Sequence, residues 1–294
     1  MYYIIFNPTA GDGRSIKTMQ KVEQHLKDNN KDFTVIETKY KEHASVIAKD
    51  AIGKGYDGII SVGGDGTLLE IAQSLKDTDE ILGAIPAGTG NDFREAIGVP
   101  ADPIEALDII IAGHSMRIDT GLLNGKKCFL NVAGTGFDVD VLKNTNKVRR
   151  FFTGGVAYYL GIVMSILGYK NLKLKIIADG EAIEREVLLI AVANGKCYGG
   201  GLRIAPNASV QDCLYNVVIL NRIAKRRILV ELPKLKRGEL EKIDVAEQFT
   251  CREITIDCDE KQTFNIDGDI YGGTPMTFTL KPNSLNVFCP EKAI

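Results

Sequence analysis

The chain has 294 residues, of which 45% are hydrophobic and 25% charged, and its formal net charge is −2. A chain of this length predicts two domains, and the near-neutral charge argues against nucleic acid as its main partner. The six cysteines form no CxxC pair and no signal-peptide segment is evident. The sequence therefore predicts a cytoplasmic protein with reduced thiols.

The first 120 residues alternate between β-type and helical segments. Strands are predicted at 1–6, 33–38, 56–62 and 81–85, and helices at 15–29, 43–54, 68–75 and 103–112, with Ser15 as the cap of the first helix. This alternation predicts a doubly wound parallel α/β sheet with ligand loops at the carboxyl ends of its strands. The glycine-bearing loops after Phe6, Val62 and Ile85 all fall at that edge, so we expect them to meet in one crevice.

The loop after the third strand is the most informative stretch of the chain and reads Gly63-Gly64-Asp65-Gly66-Thr67. Glycines let backbone N–H groups close around phosphate oxygens, and the following helix N-terminus adds partial positive charge. A carboxylate beside phosphate would be repelled, so Asp65 is interpreted as facing a Mg²⁺ bound to the phosphates. The alternative is a tight strand-to-helix turn in which Asp65 caps the helix.

A second loop of this kind follows the fourth strand and reads Ile85-Pro86-Ala87-Gly88-Thr89-Gly90-Asn91-Asp92-Phe93-Arg94. Thr89 and Asn91 suit hydrogen bonds to phosphate or ribose, and Asp92 suits a water-bridged metal. A loop with an Asn-Asp cap is the alternative. Two such loops in one chain favour a phosphate site over two unrelated turns.

Beyond Asp119 the sequence changes to many short β-type runs. Strands are predicted at 172–178, 187–193, 216–220, 253–257, 263–266, 276–280 and 286–288, with a helix at 225–235 and an Asn124-Gly125 hairpin turn. These runs predict an antiparallel β-sandwich or barrel. We expect a nucleotide-binding α/β domain at 1–121, joined by the tail at 283–294, and a β-sandwich domain at 122–282.

Two segments bear on membrane contact. Residues 151–169 are nearly uncharged and long enough to span a bilayer, but their glycines favour a buried or interdomain helix. The apolar helix predicted at 225–235 is flanked by basic residues, namely Lys225, Arg226, Arg227, Lys234, Lys236 and Arg237. This basic stretch could rest on anionic headgroups or form a solvated helix face.

No GxxxxGK[ST] P-loop, GxGxxG fingerprint or protein-kinase HRD and DFG set is present. The GGDGT loop, the PAGTGNDF loop, the Asn7-Pro8 opening and a late Asp-Gly-Asp element together resemble the diacylglycerol kinase catalytic-domain family, in particular the soluble bacterial lipid kinases. The resemblance runs from Asn7 to Pro290. It implies ATP-dependent phosphorylation of a lipid hydroxyl in a cleft between the two domains, with diacylglycerol as the leading acceptor and phospholipid synthesis as the context.

The resemblance also assigns roles to residues. It places the nucleotide against Asn7, Pro8, Thr9, Ala10, Gly11 and Thr38, and the phosphates against Gly64, Asp65, Gly66, Thr67, Glu70 and Thr89. It places Asp65, Asp92 and Asp119 around the catalytic Mg²⁺. Asp267 matches the family's general base, which fits phosphoryl transfer because that reaction needs a positioned base. From the residues alone, Asp267-Gly268 favours a type I′ hairpin turn.

A second, structural Mg²⁺ site is implied at Ser209, Asp212 and Leu214, but the family's Asp-Asp-Gly has become Gln211-Asp212-Cys213. Two further departures are Leu69 in place of Asn and Asp269 in place of Glu.

Leu69 brings the first loop closer to NAD kinases, whereas the second loop matches lipid kinases. A sphingosine, ceramide or phosphatidylglycerol kinase and a nucleotide-binding regulatory protein stay as alternatives. The expected partner is a lipid at the membrane surface; the oligomeric state is not fixed, and a homodimer is left open.

Overall fold

The computed structural model describes residues 1–148, 152 and 154–293. The N-terminal strands are β1 (Tyr2–Phe6), β2 (Phe33–Glu37), β3 (Gly58–Gly63) and β4 (Ile81–Pro86). The helices are α1 (Arg14–Asp28), α2 (His43–Ala51), α3 (Asp65–Leu75), α4 (Phe93–Ala96) and α5 (Pro103–Ala112). The strands pair in parallel in the order β2-β1-β3-β4. This arrangement confirms the predicted α/β sheet.

Both faces of the parallel sheet are apolar, which explains why its strands are continuous hydrophobic runs. Ile5 and Ile59 lie in the core beneath α2 and α3. Ile4 and Ile60, on the opposite face, lie in the core beneath α1 and α5. Because helices cover both faces, the carboxyl ends of the strands form the free edge at which ligand loops can meet.

Three expectations about helix ends were wrong. Helix α1 begins at Arg14 after Gly13 (φ 83°), and the buried Ser15 hydroxyl has no hydrogen-bond partner in the described part of the chain, so it does not cap the helix. Helix α3 begins at Asp65 directly after Gly64, which places Gly66 and Thr67 in its first turn. Helix α2 ends at Ala51, just before Gly53 takes a left-handed φ of 75°.

The C-terminal half is a mainly antiparallel β-domain, and its described residues include three α-helices. Its strands are β5 (Ser115–Leu123), β6 (Lys127–Phe129), β7 (Val132–Gly136), β8 (Leu172–Ala178), β9 (Glu181–Ala193), β10 (Tyr215–Asn221), β11 (Ala246–Cys251), β12 (Glu253–Cys258), β13 (Thr263–Ile266), β14 (Asp269–Gly272) and β15 (Met276–Phe288). Its helices are α6 (Phe137–Val148), α7 (Gly154–Gly168) and α8 (Lys225–Arg237). The predicted β-sandwich domain is confirmed, and the Asn124-Gly125 turn joins β5 to β6.

Strand β15 joins the two halves of the molecule. The sequence predicted two strands in this region, but the structure has one. Its first part pairs antiparallel with β12 and β5, and after an irregularity between Lys281 and Leu285 its end pairs in parallel with β4. All fifteen described strands therefore belong to one hydrogen-bonded network. The predicted domain limits stay a prediction.

Helix α7 covers most of the apolar segment 151–169, whose first residues lie partly outside the described chain. Its inner face packs against the β-domain core through Ile162 and Ile166. Its outer face leaves Tyr159 63% and Leu167 73% exposed, so the expectation of a buried helix holds for one face only. Within the described residues, no helix combines the length and hydropathy needed to cross a membrane.

Candidate active site

The two glycine loops touch each other at the carboxyl edge of the parallel sheet. A Cβ on Gly64 would lie 3.3 Å from Gly88 Cα, and a Cβ on Gly88 would overlap Gly64 Cα. The loop after β1 joins them because Asn7 Nδ2 donates to Thr67 Oγ1 over 2.9 Å. Glycine is needed at 64 and 88 because the two backbones approach too closely for side chains. The structure thus brings together the three loops that the sequence placed in one crevice.

These loops line a polar cleft of about 510 Å³. Ten of the thirteen predicted nucleotide-site residues line it, namely Asn7, Thr9, Ala10, Gly11, Thr38, Gly64, Gly66, Thr67, Glu70 and Thr89. Pro8, Asp65 and Asn91 do not. Asp65 instead lines the neighbouring cavity. Most of the predicted nucleotide-site residues therefore line the same cleft.

Two of the predicted residues hold the wall of the cleft in place. The Glu70 carboxylate accepts hydrogen bonds from the Glu42 and Ala44 N–H groups over 2.9 and 3.1 Å, at the start of α2. Asn91 closes its own loop, since its side chain bonds both the N–H and the carbonyl of Gly88 over 3.0 Å. In this structure Glu70 and Asn91 therefore support the loops that form the cleft.

The sequence analysis missed the basic residues of this cleft. Lys39, Tyr40 and Lys41 line it after β2, and Lys41 Nζ lies 3.2 Å from Asp269 on the β-domain. Arg14 Nε donates to the carbonyl of Gly11, which lines the cleft, over 2.8 Å, so a guanidinium lies at the rim. The sequence signal that could have revealed them is a Lys-Tyr-Lys run directly after a strand, at the edge of the sheet where the ligand loops meet. Cations at this edge suit a triphosphate.

Asp65 and Asp92 form the carboxylate pair at the second loop. Asp65 Oδ1 accepts from the Phe93 N–H over 3.2 Å. Asp92 accepts from the Gly200 and Gly201 N–H groups over 2.8 and 2.7 Å, which fastens the loop to the β-domain. Burial and the neighbouring Asp92 raise the pKa of Asp65. A Cβ on Gly90 would lie 2.9 Å from Asp65 Oδ2 and 3.5 Å from Asp92 Oδ2, so both carboxylates approach one point, which fits a cation.

Asp267 lies in the β13–β14 turn, and its carboxylate points back into the protein. It accepts hydrogen bonds from the N–H groups of Leu130, Asn131 and Val132 over 2.6, 3.0 and 3.0 Å. The pKa of Asp267 is raised to about 6, mainly because burial removes water from the carboxylate and also because Asp65 lies nearby. The three backbone donors lower the pKa but do not offset these effects. The φ of 47° at Asp267 and 93° at Gly268 show that the predicted hairpin turn also exists. The predicted turn and the predicted site residue therefore coincide at Asp267.

Asp267 opens onto a second cavity of about 290 Å³ that is mostly apolar. The inner faces of α6, α7 and α8 form its walls, with Val141, Ile162, Ile228, Leu232 and Leu235 among the lining residues. Asp65, Asp92 and Thr89 lie at its polar end, and Thr89 also lines the polar cleft. The two cavities therefore adjoin at Thr89, with carboxylates on the apolar side.

Asp119 and Asp212 form a separate pair. Fully buried Asp119 accepts from the Cys213 and Asn283 N–H groups, each over 2.8 Å. Asp212 accepts from the Leu214 N–H over 3.0 Å, and burial followed by Asp119 raises its pKa. Among the described residues, no group of three His, Cys, Asp or Glu side chains could hold a metal. Asp119 thus braces the loop that carries Ser209, Asp212 and Leu214, and both predicted metal sites stay predictions.

Comparison with protein-family models divides the chain into two matches. Residues 1–123 match the diacylglycerol kinase catalytic domain, and residues 131–289 match the YegS C-terminal NAD kinase beta sandwich-like domain. The first match contains both glycine loops, and the second contains Asp267 and the walls of the apolar cavity.

Curated relatives match over nearly the whole chain. A diacylglycerol kinase of Mycobacterium tuberculosis (strain ATCC 25618 / H37Rv) is 31% identical, with 97% of this chain and 94% of the relative covered. A diacylglycerol kinase of Bacillus subtilis (strain 168) is 29% identical, covering 98% and 96% respectively.

Solved structures show the same two-domain fold. A crystal structure of a protein from Bacillus anthracis str. Sterne has a TM-score of 0.81 at 26% identity, covering 99% of this chain and 98% of that chain. The crystal structure of a diacylglycerol kinase from the same organism gives 0.76 at 24% identity, covering 100% and 98%.

The fold, the two adjoining cavities and these matches define a lipid kinase, a phosphotransferase with an alcohol acceptor. The chain belongs to the diacylglycerol kinase family.

Proposed function

We propose that this protein transfers the γ-phosphoryl group of ATP to a lipid hydroxyl, with diacylglycerol as the leading acceptor and phosphatidic acid as the product. The observation that carries the proposal is the junction at Thr89, where a polar, glycine-lined cleft adjoins an apolar cavity with carboxylates at its polar end. One side suits a triphosphate and the other an acyl chain. Diacylglycerol leads because relatives matched over nearly the whole chain are named diacylglycerol kinase.

The nucleotide is proposed to lie in the polar cleft, with its phosphates against the first turn of α3. That turn presents backbone N–H groups and the helix dipole, and Lys39 and Lys41 add positive charge. The close contact between Gly64 and Gly88 leaves the backbone bare at the point where phosphates would approach. This combination favours a bound polyphosphate over a neutral ligand.

Mg²⁺ fits this site because the carboxylates of Asp65 and Asp92 both approach the same point beside Gly90. These two residues would hold the ion, which when bound would neutralise the phosphate charge that builds up during transfer. Asp119 is proposed to act indirectly, since it does not line the cavity with Asp65 and Asp92 and its carboxylate holds the loop that carries Asp212.

Asp267 is proposed as the general base. The acceptor hydroxyl would donate its proton to the Asp267 carboxylate while its oxygen forms the bond to the γ-phosphorus, and the bond to the ADP oxygen breaks. A carboxylate with a pKa of about 6 is mostly ionised at neutral pH yet accepts a proton more readily than an ordinary Asp. The three backbone donors fix its position at the cavity.

The proposal is tested by radiolabelled ATP transfer in mixed micelles, with diacylglycerol, ceramide, sphingosine, phosphatidylglycerol and NAD offered separately. We expect label in diacylglycerol and a loss of about 10²–10⁴-fold in Asp267→Ala. Asp259→Ala, which removes an exposed ion pair with Lys175, is the matched control and should keep most activity. Label in NAD alone would contradict the lipid acceptor, and equal losses in both variants would contradict the role of Asp267.

Membrane access is proposed to occur through the outer faces of α7 and α8. These faces expose Tyr159, Leu167, Leu229 and Val230, while the inner faces of the same helices line the apolar cavity. Lys225 Nζ ties the two helices together by donating to the Leu167 carbonyl over 2.7 Å. An anionic bilayer on this surface would place acyl chains next to the cavity walls.

The predicted basic stretch is only partly free to meet headgroups. Arg227, Lys234 and Arg237 form ion pairs within the chain, with Glu231, Asp244 and Glu239 as their partners. Arg226 and Lys236 are exposed and form no ion pair with any described residue. They lie at the two ends of the apolar strip on α8, an arrangement that favours anionic lipid.

Sedimentation with vesicles tests this surface. The double variant Leu229→Ser/Val230→Ser and the variant Arg226→Glu/Lys236→Glu should each weaken binding to phosphatidylglycerol vesicles, and the second should have no effect on phosphatidylcholine vesicles. Ile177→Ser is the matched control because Ile177 is a 48% exposed hydrophobic residue on β8, away from these helices. Unchanged vesicle binding in both test variants would contradict the proposed surface.

A further inference from the structure

One side chain in the apolar cavity has no role in the scheme above. Asp138, in the first turn of α6, is only 8% exposed and lines the cavity with Asp267. Neither of its carboxylate oxygens has a hydrogen-bond partner among the described residues. Burial raises the pKa of Asp138 to about 7. The nearby Val139 N–H and Asn265 side chain lower this pKa but do not offset the effect of burial. A buried, unpaired carboxyl group is costly, so it calls for a partner.

The fold holds this carboxylate in a defined place beside Asp267. A Cβ on Gly134 in β7 would lie 2.7 Å from Asp138 Oδ2, so the carboxylate rests against the backbone of that strand. Asp267 bonds the Val132 N–H of the same strand. Positions two residues apart on a strand are separated by about 7 Å. Two hydrogen bonds of about 2.7 Å and a two-carbon unit can bridge such a distance.

We propose that Asp138 binds a second hydrogen-bond donor of the acceptor lipid, a hydroxyl or amine on the carbon next to the one that bears the reacting hydroxyl. This inference rests on the proposed function, because it takes the apolar cavity as the acceptor site. 1,2-Diacylglycerol lacks such a donor, whereas monoacylglycerols and long-chain amino alcohols have one. Asp138 would then set the preference among acceptors, and Asp267 would carry out the proton transfer.

The test compares 1-oleoylglycerol with its 2-O-methyl ether, which share the acyl chain and the reacting hydroxyl and differ in whether the second oxygen can donate. At pH 8, where a carboxyl group with a pKa of about 7 is mostly ionised, kcat/KM of the wild-type protein should favour 1-oleoylglycerol by about tenfold or more, as expected for a hydrogen bond to a charged group. Asp138→Asn and Asp138→Leu should bring the ratio close to one. Asp140→Asn is the matched control, because Asp140 lies on the same helix but does not line the cavity.

Binding of the two lipids is also measured without ATP, with displacement of a fluorescent lipid as the readout. This measurement separates the inference about Asp138 from the proposed reaction. A tenfold difference in Kd that Asp138→Asn removes would support the inference even if neither lipid is phosphorylated, in which case the reaction has failed. Equal Kd values and equal kcat/KM values for the two lipids in the wild-type protein would overturn the inference while leaving the reaction intact. A ratio that survives in both Asp138 variants would overturn it as well.

Discussion

The polar cleft and the apolar cavity are built by different means. The cleft is formed by loops that follow successive strands, and its shape depends on backbone and on glycines such as Gly64 and Gly88. The cavity is formed by side chains from β9, β10, β13 and three helices, which are spread over more than a hundred residues of sequence. A backbone-built site leaves a compact motif in the sequence, and a side-chain-built site does not. The cleft that we propose for the phosphoryl donor was therefore visible in advance, whereas the cavity that we propose for the acceptor was not.

Acidity should produce the largest effect, and it acts on the cavity side. Because a general base must be ionised, kcat/KM for diacylglycerol should fall about tenfold per pH unit below the Asp267 pKa of about 6. A pH–rate profile between pH 4 and 8 measures this. The Asp138→Asn variant should keep the same acidic limb for diacylglycerol, which assigns the limb to Asp267. If the acidic limb shifts in the Asp138→Asn variant, the limb reports ionisation of Asp138 and not of Asp267.

Gly88→Ala tests the backbone-built cleft. The added methyl group would overlap Gly64 Cα, and we expect the forced separation of the loops to raise KM for ATP by about tenfold or more and to lower Tm. Gly66→Ala is the comparison variant, since a Cβ there meets no atom within 4 Å. It should leave Tm unchanged, so any rise in its KM would report close approach of phosphate. An unchanged KM for ATP in Gly88→Ala would contradict this prediction, because it would show that the close contact between the two loops is not needed for ATP binding.

Lys41→Ala tests a contact that joins the two sides. Its ion pair with Asp269 is exposed, so Tm should stay the same, because such pairs contribute little to stability. Its position in the cleft should make KM for ATP rise about threefold to tenfold, as for the loss of one charge-assisted hydrogen bond. Lys175→Ala removes a similar exposed pair with Asp259 and serves as the control. Equal KM values in the two variants would remove Lys41 from the nucleotide site.

Cys213→Gly should give the smallest effect. Cys213 takes a φ of 59°, the left-handed conformation that the family pattern fills with glycine, and a side chain there costs about 1 kcal/mol. Replacement by glycine should raise the free energy of unfolding by up to this amount in urea denaturation. Cys258→Gly, within strand β12, should change it in the opposite direction. Destabilisation by Cys213→Gly would mean that the thiol stabilises the loop by more than its backbone strain costs.

The sequence predicted the order of the parallel-sheet elements and the meeting of their loops because hydrophobic runs and glycines are local signals. It placed the start of α3 three residues late, since Gly66 read as part of a loop although it lies in the first helical turn. It gave no sign that Lys41 would reach Asp269, because these residues are 228 positions apart. Helix α6, which carries Asp138, was missed because its apolar residues are interrupted by acids and amides, and only burial shows that Asp138 faces inward.

Strand β15 has a mechanical consequence. Because it pairs with β12 and β5 along one part and with β4 at its end, the polar cleft and the apolar cavity are held on a single hydrogen-bonded frame. Opening the enzyme like a clamshell would require breaking that ladder, so large hinge motion between the halves is disfavoured. Substrate entry and product release would instead fall to the rim, that is, to the loops of the cleft and to α7 and α8. Slow amide exchange throughout β15, with fast exchange in those two helices, is the signature we expect of a rigid frame with mobile edges.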